Sequence, residues 1–240
     1  MTETEEPQTK ETLLLRGYDL AADAAAINQA GRILRGGGIV AIPTETVYGL
    51  AGNALDPDAT GKIYAAKGRP SDNPLIVHID RLEEWPPLVR ELPEEALLLA
   101  RKFWPGPLTI ILPKSGLVPD ATSGGLDTVA VRMPWDPIAR AVIRAAGMPL
   151  AAPSANRSGS PSPTTWRHCV DDLWGRADAI LQSHDCRVWV ESTVLSLCRE
   201  GGGAVCPRLL RPGAVTLEQL REVLGEVVVD RGVLEHLEDG

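Results

Sequence analysis

Short apolar runs alternate along the chain with longer stretches of helical periodicity. The apolar runs have the length of buried strands and cover residues 39–42, 75–79, 108–112, 129–133 and 150–152. Apolar residues at helical spacing fill most of the intervals, in stretches that begin near residues 22, 56, 93, 136, 162 and 216. This alternation predicts an α/β fold in which helices cover the faces of a twisted, mixed sheet.

Helix-start signals mark several of these stretches. Asp56 and Asp136 are each followed by proline, an arrangement in which the aspartate caps the helix and the proline takes its first position. Thr216, with Gln219 three residues later, fits a capping box. Ser162 is the expected N-cap of the helix that begins near residue 162.

A single folded domain is predicted between two acidic tails, because neither an internal repeat nor a linker-like stretch interrupts the middle of the chain. Residues 1–16 are expected to form a mobile acidic tail, residues 17–226 the domain, and residues 227–240 an acidic C-terminal tail. The net charge of −8 is concentrated at these ends, with −2 in residues 1–16 and −5 in residues 218–240. The near-neutral remainder is compatible with a local basic cleft but not with a broad basic face for nucleic acid.

Composition indicates a cytoplasmic protein with reduced thiols. No apolar run reaches the roughly 18 residues that a membrane span needs. The first residues are acidic, whereas a signal or transit peptide is basic. The four cysteines lack zinc-like spacing and histidine partners, so we expect no metal site in the protein.

Side chains that could carry chemistry are concentrated after the first apolar run. The hydroxyls of Thr44, Thr46 and Tyr48 indicate a polar pocket at the end of that strand. Lys67 and Arg69 lie on a turn after the next helix, where an ammonium and a planar guanidinium suit a phosphate chain. The alternative is a solvated charge pair, because cations are favoured at helix C-termini in any case. The chain has no Walker loop and no G-x-G-x-x-G, so a nucleotide would be held by side chains and other turns.

Polar groups also interrupt apolar surroundings further along the chain. Residues 154–156 follow a buried strand and lead into a turn, where α/β folds place ligands, although an ordinary capped loop is the alternative. Arg132 lies within the apolar run 129–133, and an arginine there must meet an anion to offset its desolvation. His78 lies in an apolar strand, where a lone histidine is more often a core residue than a ligand.

Five motifs in one order carry a family resemblance. They are PTETVYGLAGNA from residue 43, KGRPSDNPLIVHI from 67, PSANRSGSPSPT from 153, VESTV from 190 and LRPG from 210. The chain thus resembles the YrdC-domain family of L-threonylcarbamoyladenylate synthases over about residues 30–225. The resemblance implies an open, concave α/β fold and a nucleotidyltransferase that condenses L-threonine, bicarbonate and ATP to threonylcarbamoyl-AMP and pyrophosphate, the first step of threonylcarbamoyladenosine formation in tRNA.

The same resemblance assigns residues to the two larger substrates. The ATP-binding residues it implies are Lys67, Arg69, Asn73, Thr128, Ser154, Asn156, Ser162 and Arg211, of which Lys67 and Arg69 are the expected catalytic residues. The threonine-binding residues it implies are Thr46, His78, Arg132, Ala152 and Ser192. We expect Mg²⁺ to be carried with ATP. No general base is assigned, because the reaction needs alignment and charge neutralisation more than a strong base.

Two features depart from the family pattern. Longer members append a second domain through a linker that carries a tyrosine, and no tyrosine follows residue 225 here, so the chain resembles the short form. The loop at residues 199–203 is longer than expected and leaves the geometry around Arg211 open. The expected partners beyond the substrates are the enzymes that transfer the threonylcarbamoyl group to tRNA, with at most a weak contact to tRNA itself and none to a membrane.

Two other functions stay open at this point. A relative of the carbamoyl-adenylating domain of hydrogenase maturation proteins would share the ATP motifs but would have no use for a threonine pocket. A non-catalytic module that binds structured RNA is the alternative of another class, and the near-neutral body of the chain argues against tight RNA binding.

Overall fold

The structure, a computed structural model, describes residues 10–199, 201 and 203–238, with side chains described as far as residue 234. Its strands are β1 (Leu13–Arg16), β2 (Val40–Ile42), β3 (Gly49–Asn53), β4 (Ile76–His78), β5 (Leu108–Pro113), β6 (Thr128–Arg132), β7 (Leu150–Ala151), β8 (Ala179–Gln182), β9 (Thr193–Ser196), β10 (Arg208–Arg211) and β11 (Val228–Val229). Its helices are α1 (Ala24–Arg35), α2 (Pro57–Lys67), α3 (Glu94–Phe103), α4 (Asp120–Ser123), α5 (Pro137–Ala146), α6 (Trp166–Leu173), α7 (Leu217–Leu224) and α8 (Arg231–Glu238).

All of these strands belong to one sheet. Their order is β1-β8-β2-β3-β7-β4-β6-β5-β9-β10-β11, and neighbouring pairs are parallel in five cases and antiparallel in the other five. β1 and β11 are the edges, so the sheet is open. The predicted α/β fold with a mixed sheet and flanking helices is confirmed.

The sheet separates two hydrophobic cores. Side chains in residues 39–42 alternate between them, with Ile39 and Ala41 in the larger core and Val40 and Ile42 in the smaller one. This follows from the period of two in an extended strand. The smaller core is covered by α1 and α5, and the larger one takes buried residues from α2, α3, α6 and α7.

Most of the predicted helix starts are present. Asp56 accepts a hydrogen bond from Asp58 N, Asp136 caps α5 in the same way, and Thr216 begins α7 with a capping box. The N-cap predicted at Ser162 is wrong, because Thr165 caps α6 and accepts from His168 N. The carbonyl of Pro163 is instead bonded to Tyr48 N, which holds the residues after Ser162 outside the helix.

The predicted mobile tail at residues 1–16 is wrong from Lys10 onward, because Lys10 and Thr12 already donate hydrogen bonds to Gly175 O and Ala177 O. β1 pairs in parallel with β8, and Leu15 lies in the smaller core. The strand is formed by the short apolar run at residues 13–15. Charged residues dominate the composition around this run, and the segment was therefore predicted to be a tail. Residues 1–9 lie outside the described part of the chain.

The predicted acidic tail at residues 227–240 is also partly structured. β11 pairs with β10, and Val227 and Val233 are buried. The acidic residues dominate the composition of this segment, but its valines supply apolar contacts. In the described residues, no helix combines the length and apolar character that crossing a membrane requires.

Candidate active site

A polar cleft of about 380 Å³ opens at the ends of the central strands. Of the thirteen residues assigned to substrates from the sequence, nine line it: Thr46, Arg69, Asn73, His78, Arg132, Ala152, Ser154, Ser192 and Arg211. Thr44 and Glu191 line it as well. Segments far apart in the chain therefore bring the predicted ATP and threonine residues to one place.

Four of the predicted residues are absent from the described cleft lining: Lys67, Thr128, Asn156 and Ser162. Thr128 and Arg132 are the first and last residues of β6, so the rise of a strand separates them by roughly 13 Å. The hydroxyl of Ser162 donates to Glu191 Oε1 at 2.8 Å, so Ser162 contacts a residue of the cleft wall.

The ammonium of Lys67 is buried and fastens the turn at residues 154–156. It donates to the backbone oxygens of Ser154 and Asn156, the latter at 2.7 Å, and to Asn156 Oδ1 at 3.4 Å. Burial, and then the charge of Arg69, lower the pKa of Lys67 to about 8. The alternative of a solvated charge pair is therefore wrong for Lys67, which holds the loop that carries Ser154 into the cleft wall.

Arg69 presents its guanidinium to the cleft. Gly68 ends α2 in the left-handed region at φ 61°, which glycine adopts without strain, and the chain turns there. Arg69 Nη2 donates to Pro74 O at 3.1 Å, whereas Nε is buried without a partner in the described residues. Burial lowers the pKa of Arg69, but a guanidinium remains charged. Arg69 thus keeps donors for an anion.

Arg132 meets its anion within the protein. Its Nη2 donates to Glu45 Oε1 at 2.5 Å, its Nη1 donates to Thr46 Oγ1 at 2.9 Å, and its Nε donates to Gly106 O at 3.2 Å. The ion pair with Glu45 offsets the desolvation of a guanidinium that is only 4% exposed. Sequence reasoning missed Glu45, although it lies between two of the hydroxyls that indicated the pocket.

His78 is both a buried residue and part of the cleft wall. Its Nδ1 lies 3.1 Å from Ile76 O, and because a carbonyl oxygen only accepts, Nδ1 carries the proton and Nε2 is the acceptor. Burial, and then the charge of Arg132, lower the pKa of His78 to about 3. The imidazole is therefore neutral at neutral pH.

Arg211 is held by the segment that precedes β9. Its Nε and Nη2 donate to Ser192 O at 3.0 and 2.9 Å, Nη2 also donates to Ser192 Oγ at 3.0 Å, and Nη1 pairs with Glu191. Burial lowers the pKa of Arg211. Glu191 was also not predicted to be a site residue, although it lies in the VESTV motif.

The turn after Arg211 packs directly on the same segment. A Cβ at position 213 would lie 2.5 Å from both Glu191 O and Thr193 N, so Gly213 is required by this approach. Arg199 and Val205 form a bridge at the end of the β9–β10 hairpin opposite to Arg211, so these described residues do not contact the geometry around Arg211.

The hydroxyl-rich loop is only partly a pocket wall. Thr44 and Thr46 line the cleft, with their hydroxyl oxygens 2.9 Å apart. Tyr48 is fully buried, its hydroxyl donates to His184 O at 3.4 Å, and burial raises its pKa. The prediction of a polar pocket is therefore wrong for Tyr48, which packs in the larger core.

The charged residues of the cleft are mostly cations. Arg69, Arg132 and Arg211 line it together with one carboxylate, Glu191. In the described part of the chain, no group of histidine, cysteine, aspartate and glutamate residues is arranged to hold a metal, and the four cysteines are free thiols. The fold and the site define an α/β protein with a positively charged cleft of a size and charge that suit a small anionic ligand.

The comparisons with known proteins identify the family. Residues 32–213 match the Sua5_yciO_yrdC family, described as Telomere recombination. The chain is 50% identical over 207 residues to the threonylcarbamoyl-AMP synthase of Pyrococcus abyssi, covering 86% of this chain and 59% of that protein. It is 49% identical over 216 residues to the threonylcarbamoyl-AMP synthase of Bacillus subtilis, covering 90% and 61%. The chain belongs to the Sua5/YciO/YrdC family.

Solved structures agree with this assignment. The crystal structure of P. abyssi Sua5 complexed with L-threonine superimposes with a TM-score of 0.86 at 48% identity, over 93% of this chain and 63% of that one. The chain thus spans about three fifths of the length of these relatives.

Proposed function

We propose that this chain is a threonylcarbamoyl-AMP synthase, a nucleotidyltransferase that condenses L-threonine, bicarbonate and ATP to threonylcarbamoyl-AMP and pyrophosphate. The observation that carries the proposal is the convergence of Arg69, Arg132 and Arg211 on one cleft that is also lined by polar side chains and by the methyl group of Ala152. Three fixed cations suit a triphosphate and an amino-acid carboxylate together. The names of the two relatives and the threonine complex of the P. abyssi protein support the same substrates.

We assign the triphosphate to the side of the cleft that carries Arg69 and Arg211, with Asn73 and Ser154 beside them. Lys67 and Asn156 act here by holding the turn that carries Ser154. Mg²⁺ would arrive on the phosphates and keep most of its ligands from phosphate and water. The residues present fit this role only loosely, since the cleft carboxylate, Glu191, is already paired with Arg211. Thr128 is the weakest of the ATP assignments because of its position on β6.

Threonine is assigned to the side formed by Thr46, His78, Arg132, Ala152 and Ser192. Two of the five N–H donors of the Arg132 guanidinium have no partner among the described residues, and they suit a carboxylate. The unprotonated Nε2 of His78 is an acceptor for the hydroxyl or amine of threonine. The side chain of Ala152 is only a methyl group, so the cleft wall at this position leaves room for the methyl group of threonine.

The reaction requires alignment more than proton transfer. The amine of threonine attacks the carbon of bicarbonate, water is lost, and a carbamate forms. A carbamate oxygen then bonds to the α-phosphorus while the bond to pyrophosphate breaks. Negative charge builds on the leaving pyrophosphate, so fixed arginines stabilise the transition state more than the ground state. Within the described cleft lining, no pair of carboxylates is available as acid and base.

The product would serve tRNA modification in the cytoplasm. Threonylcarbamoyl-AMP is an activated acyl donor, so the proposed partners are enzymes that transfer its threonylcarbamoyl group to tRNA. A direct contact with tRNA would be weak, because the charge of the chain is negative overall.

The test is pyrophosphate release by the purified chain with ATP, bicarbonate and a panel of amino acids. We expect release that requires both L-threonine and bicarbonate, and serine, which lacks the methyl group, should be poorer by roughly tenfold to a hundredfold. Equal release with alanine or with no amino acid would overturn the proposal. Release that depends on carbamoyl phosphate would favour the carbamoyl-adenylating alternative, and RNA binding without any pyrophosphate release would favour the non-catalytic one.

A further inference from the structure

Glu45 lies directly behind the cleft wall, and both oxygens of its carboxylate are occupied. Oε1 accepts from Arg132 Nη2 at 2.5 Å. Oε2 accepts from the backbone N–H groups of Trp135 at 3.0 Å and Asp136 at 3.3 Å. The side chain is 2% exposed. A carboxylate that is so completely buried is retained only where all its bonds are made.

The backbone of Glu45 ties in a third segment of the chain. Its carbonyl oxygen accepts from the N–H groups of Arg187 at 3.1 Å and Val188 at 2.8 Å. These residues lead into the cleft residues Glu191 and Ser192. Glu45 therefore joins the loop after β2 and the segment before β9, which both contribute residues to the cleft, to the junction of β6 with α5, which directly follows the cleft residue Arg132.

The guanidinium of Arg132 is oriented by three contacts. Glu45, Thr46 and Gly106 each take one of its N–H groups. Of these partners, only Glu45 carries a charge, so it makes the strongest bond. The two N–H groups that remain, one on each Nη, are the donors available to a ligand in the cleft.

We infer that Glu45 is a positioning residue. It holds the Arg132 guanidinium toward the cleft, and it keeps this guanidinium selective for the carboxylate of the amino acid. This inference rests on the proposed function. Arg211 lies so close to Arg132 that the charge of Arg132 lowers the pKa of Arg211 further. The two cations therefore compete for anions in one cleft. Because Glu45 neutralises much of the charge on Arg132, the triphosphate is directed first to Arg69, which has no carboxylate within ion-pair distance in the described residues, and Arg132 is left for a planar, bidentate partner.

Only a carboxylate of this length makes all of these bonds. A glutamine at position 45 has one acceptor and one donor end, so its NH₂ group would face either Arg132 or the two backbone N–H groups. An aspartate keeps the charge but is one methylene shorter and cannot span from Arg132 to the N-terminus of α5.

The test compares Glu45→Gln with a matched control, Asp178→Asn. Asp178 also accepts from a cation at one oxygen, Lys10, and from a backbone N–H at the other, Ile39, but it is not among the residues that line the cleft. Binding of L-threonine, L-threoninamide and ATP is measured by titration calorimetry, and each variant is melted in parallel.

We expect Glu45→Gln to bind L-threonine roughly tenfold to a hundredfold more weakly, the scale of a lost hydrogen bond to a charged group. ATP binding should change by less than about threefold, since no residue assigned to ATP bonds to Glu45 or Arg132 among the described contacts. L-Threoninamide lacks the carboxylate, so it should bind weakly to the wild type and lose nothing further in the variant. Asp178→Asn should leave the binding of all three ligands unchanged.

Equal affinity of the wild type and Glu45→Gln for L-threonine would overturn the inference and leave the proposed function standing. An equal loss for threonine, threoninamide and ATP would also overturn it, because the role would then be merely structural. No threonine binding by the wild type would instead overturn the proposed function. If Glu45→Gln does not fold, Glu45→Asp takes its place. The inference then requires that Glu45→Asp weakens the binding of L-threonine but not that of L-threoninamide or ATP.

Discussion

Lys67 offers the sharpest test of how the cleft is held together. Its ammonium donates to two backbone oxygens and one side-chain oxygen of the turn at residues 154–156. Replacing it by methionine keeps most of the buried stem and removes the donors. The carbonyls of Ser154 and Asn156 would then lose a charged partner in a buried place.

The magnitude follows from two opposing effects. A hydrogen bond to a charged group contributes about 1.5–3 kcal/mol. The lowered pKa of Lys67 shows that desolvation offsets part of this gain, so we take about 2 kcal/mol as the loss in Lys67→Met. For a domain of this size, the melting temperature should fall by about 4–8 °C.

The assay is thermal melting beside pyrophosphate release, with Lys62→Met as the control. Lys62 lies on the same helix, is exposed and also donates to a backbone oxygen, Gly37 O at 2.7 Å. Its replacement should cost less than about 0.5 kcal/mol. If Lys67→Met melts at the same temperature as Lys62→Met, the ammonium does not hold the turn. If it melts lower yet keeps full activity, the turn is not part of the ATP site.

Two further predictions concern other parts of the cleft wall. The folded pKa of His78 is about 3, below the ordinary value of 6.5, so the unfolded chain binds more protons between these limits and the free energy of unfolding should fall as pH is lowered through that window. His78→Asn should flatten this slope in urea melts at several pH values, and identical slopes would contradict the reasoning. Gly213→Ala would force a Cβ to within 2.5 Å of Glu191 O and Thr193 N, and we expect a loss of about 2 kcal/mol or more in melting experiments. The control Gly61→Ala, at an open helical position, should be neutral or stabilising by about 0.5–1 kcal/mol, and equal effects of the two changes would be inconsistent with the close approach.

The sequence was informative about the fold wherever an element carried its own signal. The five apolar runs each became a strand, and the Asp-Pro pairs and the Thr216 capping box each began a helix. Six strands were not identified: β1, β3, β8, β9, β10 and β11. β3 contains two glycines and β10 has arginine at both ends, so these segments are strands because of their partners in the sheet rather than their composition.

The residue types of the site were predictable, but their contacts were not. Lys67 and Arg69 have the same charge and lie two residues apart, yet Lys67 is buried beneath residues 154–156 and Arg69 lines the cleft. The burial of Arg132 correctly demanded an anion, but its partner is 87 positions away in the sequence. Neither spacing nor composition encodes such a contact, because the sheet topology creates it.

The three arginines of the cleft differ in whether a carboxylate of the protein already pairs with them before any ligand binds. Arg132 is paired with Glu45 and Arg211 with Glu191, whereas Arg69 has no carboxylate within ion-pair distance in the described residues. Paired guanidiniums are fixed in direction and need little reorganisation when charge develops, which is the condition for electrostatic catalysis. They also attract anions less strongly in the ground state, because a carboxylate already shares each charge. Under the proposed function, Arg69 would therefore be the cation best able to capture the triphosphate, and the two paired arginines would be the ones best able to orient the carboxylate and the phosphates for reaction.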